Sequence, residues 1–352
     1  MDTILRSTMA VAADPATAFD EFTEELAAGL EQRGLAFRAG PEGRITAGPD
    51  EVAHIEAWQP GERMALAWTV ADPDGIATGL ELRFRAVAAG TEVTFEVRNW
   101  AAGMGPHADV PGWFVSEVAA PLVRALSPAR VGDWITDRVA RRPSGRSSRA
   151  NYRDPLYHYP SFRVILAELA PGADDVLLDV GCGGGALLQE TLKTGCRAAG
   201  VDHSLEMVRV TRESNRSALA DGRLQVIQAR AERLPFAEDT FTCAAMSGVL
   251  GFLPDPVASF TEIRKALRPQ GRFVTLGSDS RLRGTPAAPE PIASRLHFYE
   301  DDDLERMGRA AGFGHVDVIR RELKGIAREA GIPEEHLSLY AGLTSFLVAT
   351  KS

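Results

Sequence analysis

Hydrophobic and polar residues alternate with a period of two along three stretches in the first half of the chain. These stretches are Met64–Val70, Leu80–Ala86 and Glu92–Val97. Alternation of this kind places apolar side chains on one face of a strand and polar side chains on the other. The pattern therefore predicts an antiparallel sheet with one covered face and one solvated face.

Helical spacing of apolar residues is found on both sides of these strands. One set recurs at the spacing of a helix face: Phe19, Phe22, Leu26 and Leu30. Asp14 and Pro15 suit the N-cap and the first position, so a helix is predicted over residues 15–33. Residues 112–140 carry a longer amphipathic pattern with a break near Pro128, and this material is expected to lie across the sheet.

The second half alternates five strand-like apolar runs with amphipathic helical stretches. The runs are Val176–Val180, Arg197–Asp202, Leu224–Ala229, Cys243–Val249 and Arg272–Gly277. Strands that alternate with helices imply right-handed crossovers and a parallel sheet. An α+β domain followed by an α/β domain is therefore the expected fold class.

A glycine-rich turn separates the first of these strands from the helix that follows it. Its glycines are Gly181, Gly183, Gly184 and Gly185. Glycines at such a turn let the backbone approach a ligand closely, and the start of the helix offers free N–H groups to a negative charge. The spacing fits a dinucleotide site as well as a site for S-adenosylmethionine, so the glycines alone do not distinguish the two.

Two acidic residues favour S-adenosylmethionine. Asp179 lies two residues before the first glycine, where its carboxylate can reach the cofactor's amino group or, through water, its ribose. A carboxylate in that place would be repelled by a pyrophosphate, which disfavours a dinucleotide. Asp202 ends the second strand about twenty residues past the loop, where an acid is placed to accept hydrogen bonds from two ribose hydroxyls.

Composition excludes several classes of protein. The 352 residues are enough for two domains, and the net charge of −9 argues against nucleic acid as the main partner. Three cysteines at uneven spacing indicate neither a disulfide framework nor a metal site. The N-terminus lacks the apolar core of a signal peptide, and no stretch reaches the ~18 apolar residues of a membrane span. No membrane partner and a cytoplasmic location are therefore predicted.

Composition also divides the chain into two parts. All five tryptophans lie before residue 150, whereas all five tyrosines and all three cysteines lie after it. Residues 141–149 are polar, rich in arginine and serine, and without periodicity, which predicts a solvated tether. The expected domains are residues 1–140 and 152–352, joined by a linker at 141–151.

Three motifs in the first half carry a family resemblance. They are Asp14-Pro15-Ala-x-x-Phe19, Trp58-x-Pro60-Gly61-Glu62-x-Met64-x-Leu66-x-Trp68 and Gly90-Thr91-Glu-Val93-Thr-Phe95. With them, residues 3–140 resemble the helix-grip fold of START-like proteins. More narrowly, they resemble the heat-shock-protein-ATPase-activator and polyketide-cyclase type of the SRPBCC superfamily. The resemblance implies an apolar cavity between sheet and helix, and a domain that binds or shields a hydrophobic small ligand.

Five motifs in the second half carry another resemblance. They are Leu177-Leu-Asp179-x-Gly181-Cys-Gly183-x-Gly185, Val201-Asp202-x-Ser204-x-x-Met207, Ala231-Glu232-x-Leu234-Pro235-Phe236-x-x-Asp239-x-Phe241, Leu253-Pro254-Asp255-Pro256 and Leu267-Arg268-Pro269-x-Gly271. This half resembles class I S-adenosylmethionine-dependent methyltransferases of the small-molecule, UbiE-like type. The resemblance implies a Rossmann-like domain with a mostly parallel seven-stranded sheet whose last strand is antiparallel.

Position by position, the resemblance also implies a set of cofactor-binding residues. They are Asp179, Gly181, Gly183, Gly185, Asp202, His203, Arg230, Ala231, Glu232, Met246 and Ser247. The three loop glycines would bring backbone to the methionine moiety, and His203 would stack near the adenine. Arg230 to Glu232 would meet the adenine edge, and Met246 and Ser247 would lie beneath the sulfonium.

Two places depart from the family's pattern. Arg230 stands where the family often has an aspartate that accepts a hydrogen bond from the adenine amino group, and an arginine side chain has no acceptor. Gly251 and Phe252 stand where a histidine pair is common, so a histidine base there is excluded. The candidate bases that remain are His158, His297 and Tyr299.

The chain is therefore expected to be an S-adenosylmethionine-dependent methyltransferase that acts on a small, fairly apolar metabolite. The alternative, from a different class, is a non-catalytic ligand-binding or chaperone-like protein whose methyltransferase fold is degenerate. Arg230 keeps that alternative open. The sequence does not determine the oligomeric state, and a homodimer is left open as well.

Overall fold

The computed structural model describes residues 4–68, 78–98, 110–278, 280–285 and 287–352. The chain forms two compact units, Met1–Trp134 and Ile135–Ser352. Each unit contains its own seven-stranded sheet. The last two positions of the predicted strand Met64–Val70 lie outside the described residues.

The first unit is built on an antiparallel sheet. Its described elements are β1 (Ile4–Val11), α1 (Pro15–Gln32), β2 (Ala36–Arg38), β3 (Arg44–Ala47), β4 (Asp50–Gln59), β5 (Arg63–Trp68), β6 (Gly79–Val87), β7 (Gly90–Arg98), α2 (Val110–Trp113), a π-helical turn at Phe114–Ala119 and α3 (Ala120–Ala125). The strand order is β1-β7-β6-β5-β4-β3-β2, and every neighbouring pair is antiparallel. Alternate residues of β7 are buried, as the period-two pattern predicts.

Helix α1 begins where the sequence predicts it, because Asp14 satisfies the free N–H groups of the first turn. Its carboxylate accepts from the backbone nitrogens of Ala16 and Thr17, each at 3.0 Å. The apolar stripe of the helix packs on the sheet, and the ring of Phe19 meets that of Trp58 at 5.0 Å between centroids. Fully burying one such aromatic side chain stabilises the fold by about 1.5–3 kcal/mol.

The polar face of the sheet carries an ion-pair network centred on Glu81. This carboxylate is buried, and it accepts hydrogen bonds from Arg63 at 2.5 Å, from Arg83 at 2.6 Å and from Arg98 at 2.5 Å. Burial pushes the pKa of Glu81 upward, but the hydrogen bonds from Arg83 and Arg63 bring it below its ordinary value. Three strands are thereby joined through one side chain.

The second unit is an α/β domain. The described elements from the unit boundary onward are α4 (Val131–Thr136), a π-helical turn at Asp137–Arg141, α5 (Gly145–Arg153), a 3-10 turn at Leu156–His158, α6 (Tyr159–Leu169), β8 (Val176–Val180), α7 (Ala186–Leu192), β9 (Arg197–Asp202), α8 (Leu205–Ser214), α9 (Arg216–Ala220), β10 (Leu224–Gln228), β11 (Phe241–Met246), a 3-10 turn at Leu250–Phe252, α10 (Pro256–Ala266), β12 (Leu267–Leu276), 3-10 turns at Ser280–Leu282 and Ala293–Arg295, α11 (Asp301–Ala310), β13 (His315–Glu322), α12 (Lys324–Glu329), a 3-10 turn at Glu334–Tyr340 and β14 (Leu343–Thr350).

The strand order of the second sheet is β10-β9-β8-β11-β12-β14-β13. The first five strands are parallel, and β14 is antiparallel to both of its neighbours. Strand β8 is buried along Leu177, Leu178 and Val180 because helices cover both faces of a parallel sheet. The order reverses between β8 and β11, and a ligand crevice is expected at such a switch point, beyond the carboxyl ends of the strands.

Residues 145–153, assigned by the sequence mostly to a tether, form α5 instead. The Ser148 hydroxyl donates to the carbonyl of Arg138 at 2.7 Å, and Arg149 and Arg153 pair with Glu206 and Glu213 of α8. The partners lie up to sixty positions away, so local composition could not reveal them. The polar residues hold a helix in place rather than solvate a linker.

No helix in the described ranges has both the length and the apolar character that crossing a membrane requires.

Glu81→Gln is expected to destabilise the first unit, because it leaves three clustered arginines without their shared counter-charge. A hydrogen bond to a charged group stabilises a fold by about 1.5–3 kcal/mol, but solvent weakens these pairs because the guanidinium groups are half-exposed. We therefore expect a loss of about 1–2 kcal/mol in the free energy of unfolding. Tryptophan fluorescence during urea unfolding measures this unit selectively, since all five tryptophans lie at or before Trp134.

The matched control is Glu92→Gln, whose partner Arg85 is exposed and for which little change is expected. The folded-state pKa of Glu81 lies below its unfolded value, so its stabilisation is present above the unfolded pKa and is lost as pH falls through the folded pKa. The difference between wild type and Glu81→Gln should therefore disappear in acid. An equal difference in acid and at neutral pH would contradict the assignment.

Candidate functional site

The candidate site lies at the carboxyl ends of β8 and β9. The turn after β8 is tied to β9, because the nitrogens of Gly181 and Cys182 donate to the carbonyl of Val201 at 2.8 and 3.0 Å. This connection places the glycine loop directly beside the end of the second strand. A cavity of about 340 Å³ opens there, within the size range of small-molecule sites.

The glycine loop has no room for side chains where another segment covers it. A Cβ atom on Gly184 would lie 1.9 Å from the carbonyl oxygen of Tyr152, and one on Gly183 would lie 2.9 Å from the Tyr152 ring. Gly183 also has a φ of +53°, in the left-handed region that glycine tolerates. The loop and Tyr152 therefore form closely packed walls of one cavity.

Asp179 lines this cavity and is the more unusual of the two acids at the ends of β8 and β9. The side chain is buried, and within the described ranges its Oδ2 atom has no hydrogen-bond partner. Burial, and then the nearby charge of Asp202, raise the pKa of Asp179 to about 8. A buried acceptor without a partner is costly, so this oxygen is suited to a donor or a cation supplied by a ligand.

Asp202 is held by the backbone around it. One carboxylate oxygen accepts from the nitrogen of Gly183 at 3.0 Å, and the other accepts from the nitrogen of Ser204 at 2.8 Å. Burial raises its pKa, against the opposing effect of these hydrogen bonds. The acid thus lies at the end of β9 with its orientation determined by the glycine loop.

A covering segment, residues 137–158, which includes α5, forms one wall of the cavity. Part of it was missed by the sequence reasoning, which treated 141–149 as a tether. The members that line the cavity are Asp137, Ala140, Arg141, Arg142, Pro143, Tyr152, Pro155 and His158. The carbonyl of Pro143 accepts from the Ser204 hydroxyl at 2.8 Å, next to the end of β9. The aromatic residues before α6 were the sequence signal for this cover.

Most of the predicted cofactor residues line the cavity, and two do not. Asp179, Gly181, Gly183, Asp202, His203, Arg230, Ala231, Glu232 and Ser247 contribute to its wall. Met246 is fully buried in the core beneath the sheet edge, because it is the last residue of β11 and its side chain points to the packed face. Gly185 faces α8, where a Cβ atom would lie 2.7 Å from the side chain of Thr211.

The three candidate bases are separated by the fold. His158 lines the cavity. His297 is exposed and lies outside the lining, where its backbone nitrogen donates to the carbonyl of Gly251 at 2.8 Å. Tyr299 borders a different cleft, together with Glu300, Asp301 and Arg320.

Comparison with known proteins agrees with this geometry. A family model described as "Methyltransferase domain" matches residues 178–275, which span β8 to β12. Ubiquinone biosynthesis O-methyltransferase of Idiomarina loihiensis is 33% identical over 167 residues, which cover 42% of this chain and 67% of the relative. The protein of the same name in Xanthomonas euvesicatoria is 36% identical over 159 residues, covering 40% and 64%. The chain belongs to the S-adenosylmethionine-dependent methyltransferases.

A solved structure of an S-adenosylmethionine-dependent methyltransferase from Mesorhizobium loti is 19% identical, with a TM-score of 0.46. The structural match covers 56% of this chain and the whole of the Mesorhizobium loti chain. The chain spans about two thirds of the length of these two curated relatives.

S-adenosylmethionine is the cofactor of this methyltransferase, and the residues present fit it. The unpartnered Oδ2 of Asp179 suits a positively charged amino group, and the glycine cradle leaves space that any side chain would fill. The carboxylate of Asp202 at the end of the second strand suits ribose hydroxyls. The one mismatch with the family's pattern is Arg230. Its side chain is mostly exposed, and its Nε atom lies 3.4 Å from Oε2 of Glu232.

Gly184→Ala tests whether the covering segment packs on the loop as described. The added methyl group would overlap the Tyr152 carbonyl, so either the loop or the cover must shift. We expect a loss of about 1–3 kcal/mol in stability, as for other overpacked sites. Affinity for S-adenosylhomocysteine, measured by titration calorimetry, should fall with it.

The matched control is Gly325→Ala in α12, where a Cβ atom would have nothing within 4 Å. This variant should keep or slightly raise the melting temperature, since alanine is the better helix former. Wild-type stability and affinity in Gly184→Ala would show that the Tyr152 carbonyl does not lie against the loop.

Proposed function

We propose that this protein transfers a methyl group from S-adenosylmethionine to a small, fairly apolar acceptor. The observation that carries the proposal is Asp179, a buried carboxyl with one unpartnered oxygen in a glycine-lined cavity. Such a group is unfavourable unless a ligand brings positive charge or donors to it. The cofactor supplies the activated methyl group when it is bound.

We propose a role for each of these cavity residues. We propose that Asp179 receives the amino group of the cofactor and that Asp202 receives the ribose hydroxyls. The backbone of Gly181 and Gly183 would contact the methionine moiety, and His203 would stack near the adenine. Because Arg230 lacks an acceptor, we assign the hydrogen bond from the adenine amino group to the neighbouring carboxylate of Glu232, which lines the same cavity.

The acceptor is proposed to be apolar because the cavity wall includes several apolar side chains. Pro155, Phe162, Val249, Phe252 and Leu253 contribute to that wall. Holding a nucleophile and a methyl group at near-attack distance can supply much of the acceleration. The covering segment would exclude water from this reaction.

For the first unit, we propose a START-like helix-grip domain of residues 1–140 that binds or shields a hydrophobic ligand. Support comes from an antiparallel sheet whose apolar face is covered by α1 and by the helical residues 110–125. In addition, the indole nitrogen of Trp68 is buried and has no hydrogen-bond partner among the residues described. A methyltransferase domain of residues 152–352 and a connection at 141–151 complete the proposed organisation.

Three expectations from the sequence stay predictions. They are a cytoplasmic location, the absence of a nucleic-acid partner and the homodimer that was left open. The net charge of −9 supports the second of them.

Asp202→Asn tests the cofactor site. The amide keeps the size of the side chain but removes one acceptor, and a hydrogen bond to a charged group is worth about 1.5–3 kcal/mol. We expect the Kd for S-adenosylhomocysteine to rise roughly 10- to 100-fold by titration calorimetry. The exposed Asp221→Asn, outside the cavity, is the matched control. If the wild-type protein shows no binding, the non-catalytic alternative is favoured.

The raised pKa of Asp179 predicts a pH dependence of cofactor binding. A bound cation favours the carboxylate, so a free protein with a pKa of about 8 must release a proton on binding at lower pH. Affinity for S-adenosylhomocysteine should weaken as pH falls below that value, by up to about tenfold per pH unit. Calorimetry in buffers of different ionisation enthalpy should detect the released proton.

Asp179→Asn should bind more weakly at high pH and should lose this dependence. Binding by the wild-type protein that releases no proton and does not vary with pH would contradict the role assigned to Asp179.

A further inference from the structure

Two polar side chains of the cavity lining take no part in the cofactor contacts proposed above. One is Ser247, the first residue after β11. Its hydroxyl oxygen is buried and has no hydrogen-bond partner within the described residues. Buried hydroxyl groups are normally paired, so an unpaired one that lines a cavity indicates a polar group on the ligand.

The other is His158, the last residue of the 3-10 turn before α6. Its ring lies over Gly248, the neighbour of Ser247. A Cβ atom on Gly248 would be 3.4 Å from Cε1 and 3.8 Å from Nδ1 of this imidazole. The ring stacks on that of Phe162, with 6.0 Å between the ring centroids.

We propose that His158 and Ser247 bind an acidic hydroxyl group of the acceptor, of phenol or enol type, and that His158 is the base that takes its proton. The inference rests on the proposed function and adds the methylated atom, which is oxygen. The Ser247 hydroxyl donates to that oxygen, while a ring nitrogen of His158 accepts from it. The surrounding Pro155, Phe162 and Val249 select an apolar, ring-sized body for the acceptor.

The reaction is balanced with these groups. A lone pair of the acceptor oxygen forms the new O–C bond to the methyl carbon of the cofactor. The C–S bond breaks, and its electron pair stays on sulfur and neutralises the sulfonium. The hydroxyl proton passes to His158 and then to solvent, so no further reactant is required.

The protonation of the site agrees with this assignment. Burial lowers the pKa of His158, so the imidazole is neutral and able to accept a proton at neutral pH. Other charged or titratable side chains also line the cavity, namely those of Asp137, Arg141, Arg142, Tyr152, Asp179, Asp202, His203, Arg230 and Glu232. Burial raises the pKa of Tyr152, which therefore stays protonated and does not compete as a base.

The test uses two probes of the same shape, catechol and ortho-phenylenediamine, with the full-length protein and saturating S-adenosylmethionine. Mass spectrometry of the products should show methylation of catechol on oxygen and no product from the diamine. His158→Gln should lower kcat by about 10²–10⁴-fold, the range of general-base catalysis. It should also remove the acidic limb of the kcat–pH profile, which a purely structural role would not do.

Ser247→Ala should lower kcat/KM by roughly tenfold, the value of one hydrogen bond. His297→Gln is the matched control, since this exposed histidine lies outside the cavity lining, and it should keep wild-type rates and the wild-type pH profile. The affinity of all three variants for S-adenosylhomocysteine is measured separately.

Three outcomes would overturn the inference while S-adenosylhomocysteine still binds. They are methylation of the diamine in preference to catechol, neither turnover nor binding of catechol, and a His158→Gln variant with an unchanged pH profile. If S-adenosylhomocysteine itself does not bind, the proposed function fails, and the two failures are thereby distinguished.

Discussion

Two carboxyl groups buried at the ends of adjacent parallel strands are the constraint on which the site depends. Burial and the nearby charge of Asp202 raise the pKa of Asp179, and burial raises the pKa of Asp202. Hydrogen bonds from backbone nitrogens offset the cost of burying the Asp202 carboxylate. Within the described residues, no donor does the same for Oδ2 of Asp179. A ligand with a cationic amino group resolves the imbalance, which is why the cavity suits S-adenosylmethionine rather than a pyrophosphate.

The covering segment makes this electrostatic arrangement effective. It packs Tyr152 closely on Gly183 and Gly184, and electrostatic interactions in such a covered region are stronger than in water. The ion pairs of Arg149 and Arg153 with Glu206 and Glu213 hold the covering segment to α8. The same segment brings His158 over Gly248, so the proposed cofactor contacts and the proposed acceptor chemistry involve one structural element.

The first unit shows how the same physical rules yield a different architecture. Its alternating strands leave one apolar face, which α1 covers, and one polar face, on which three arginines surround Glu81. The buried carboxylate is tolerated there because its partners come from the same sheet. In the second unit Oδ2 of Asp179 has no such partner among the described residues, and we propose that a ligand supplies it.

The sequence by itself determined the elements whose signals are local. Asp14 and the apolar stripe after it specified α1, and Asp179, the glycines and Asp202 specified the cofactor crevice through their spacing along the chain. Tertiary structure decided what depends on distant partners. It made residues 145–153 a helix through Glu206 and Glu213, placed Met246 in the core and Gly185 against α8, and left His158 alone in the cavity among the three candidate bases. Local composition determines the propensity of a segment for helix, strand or turn. Burial and pairing with residues sixty positions away arise only when the chain has folded.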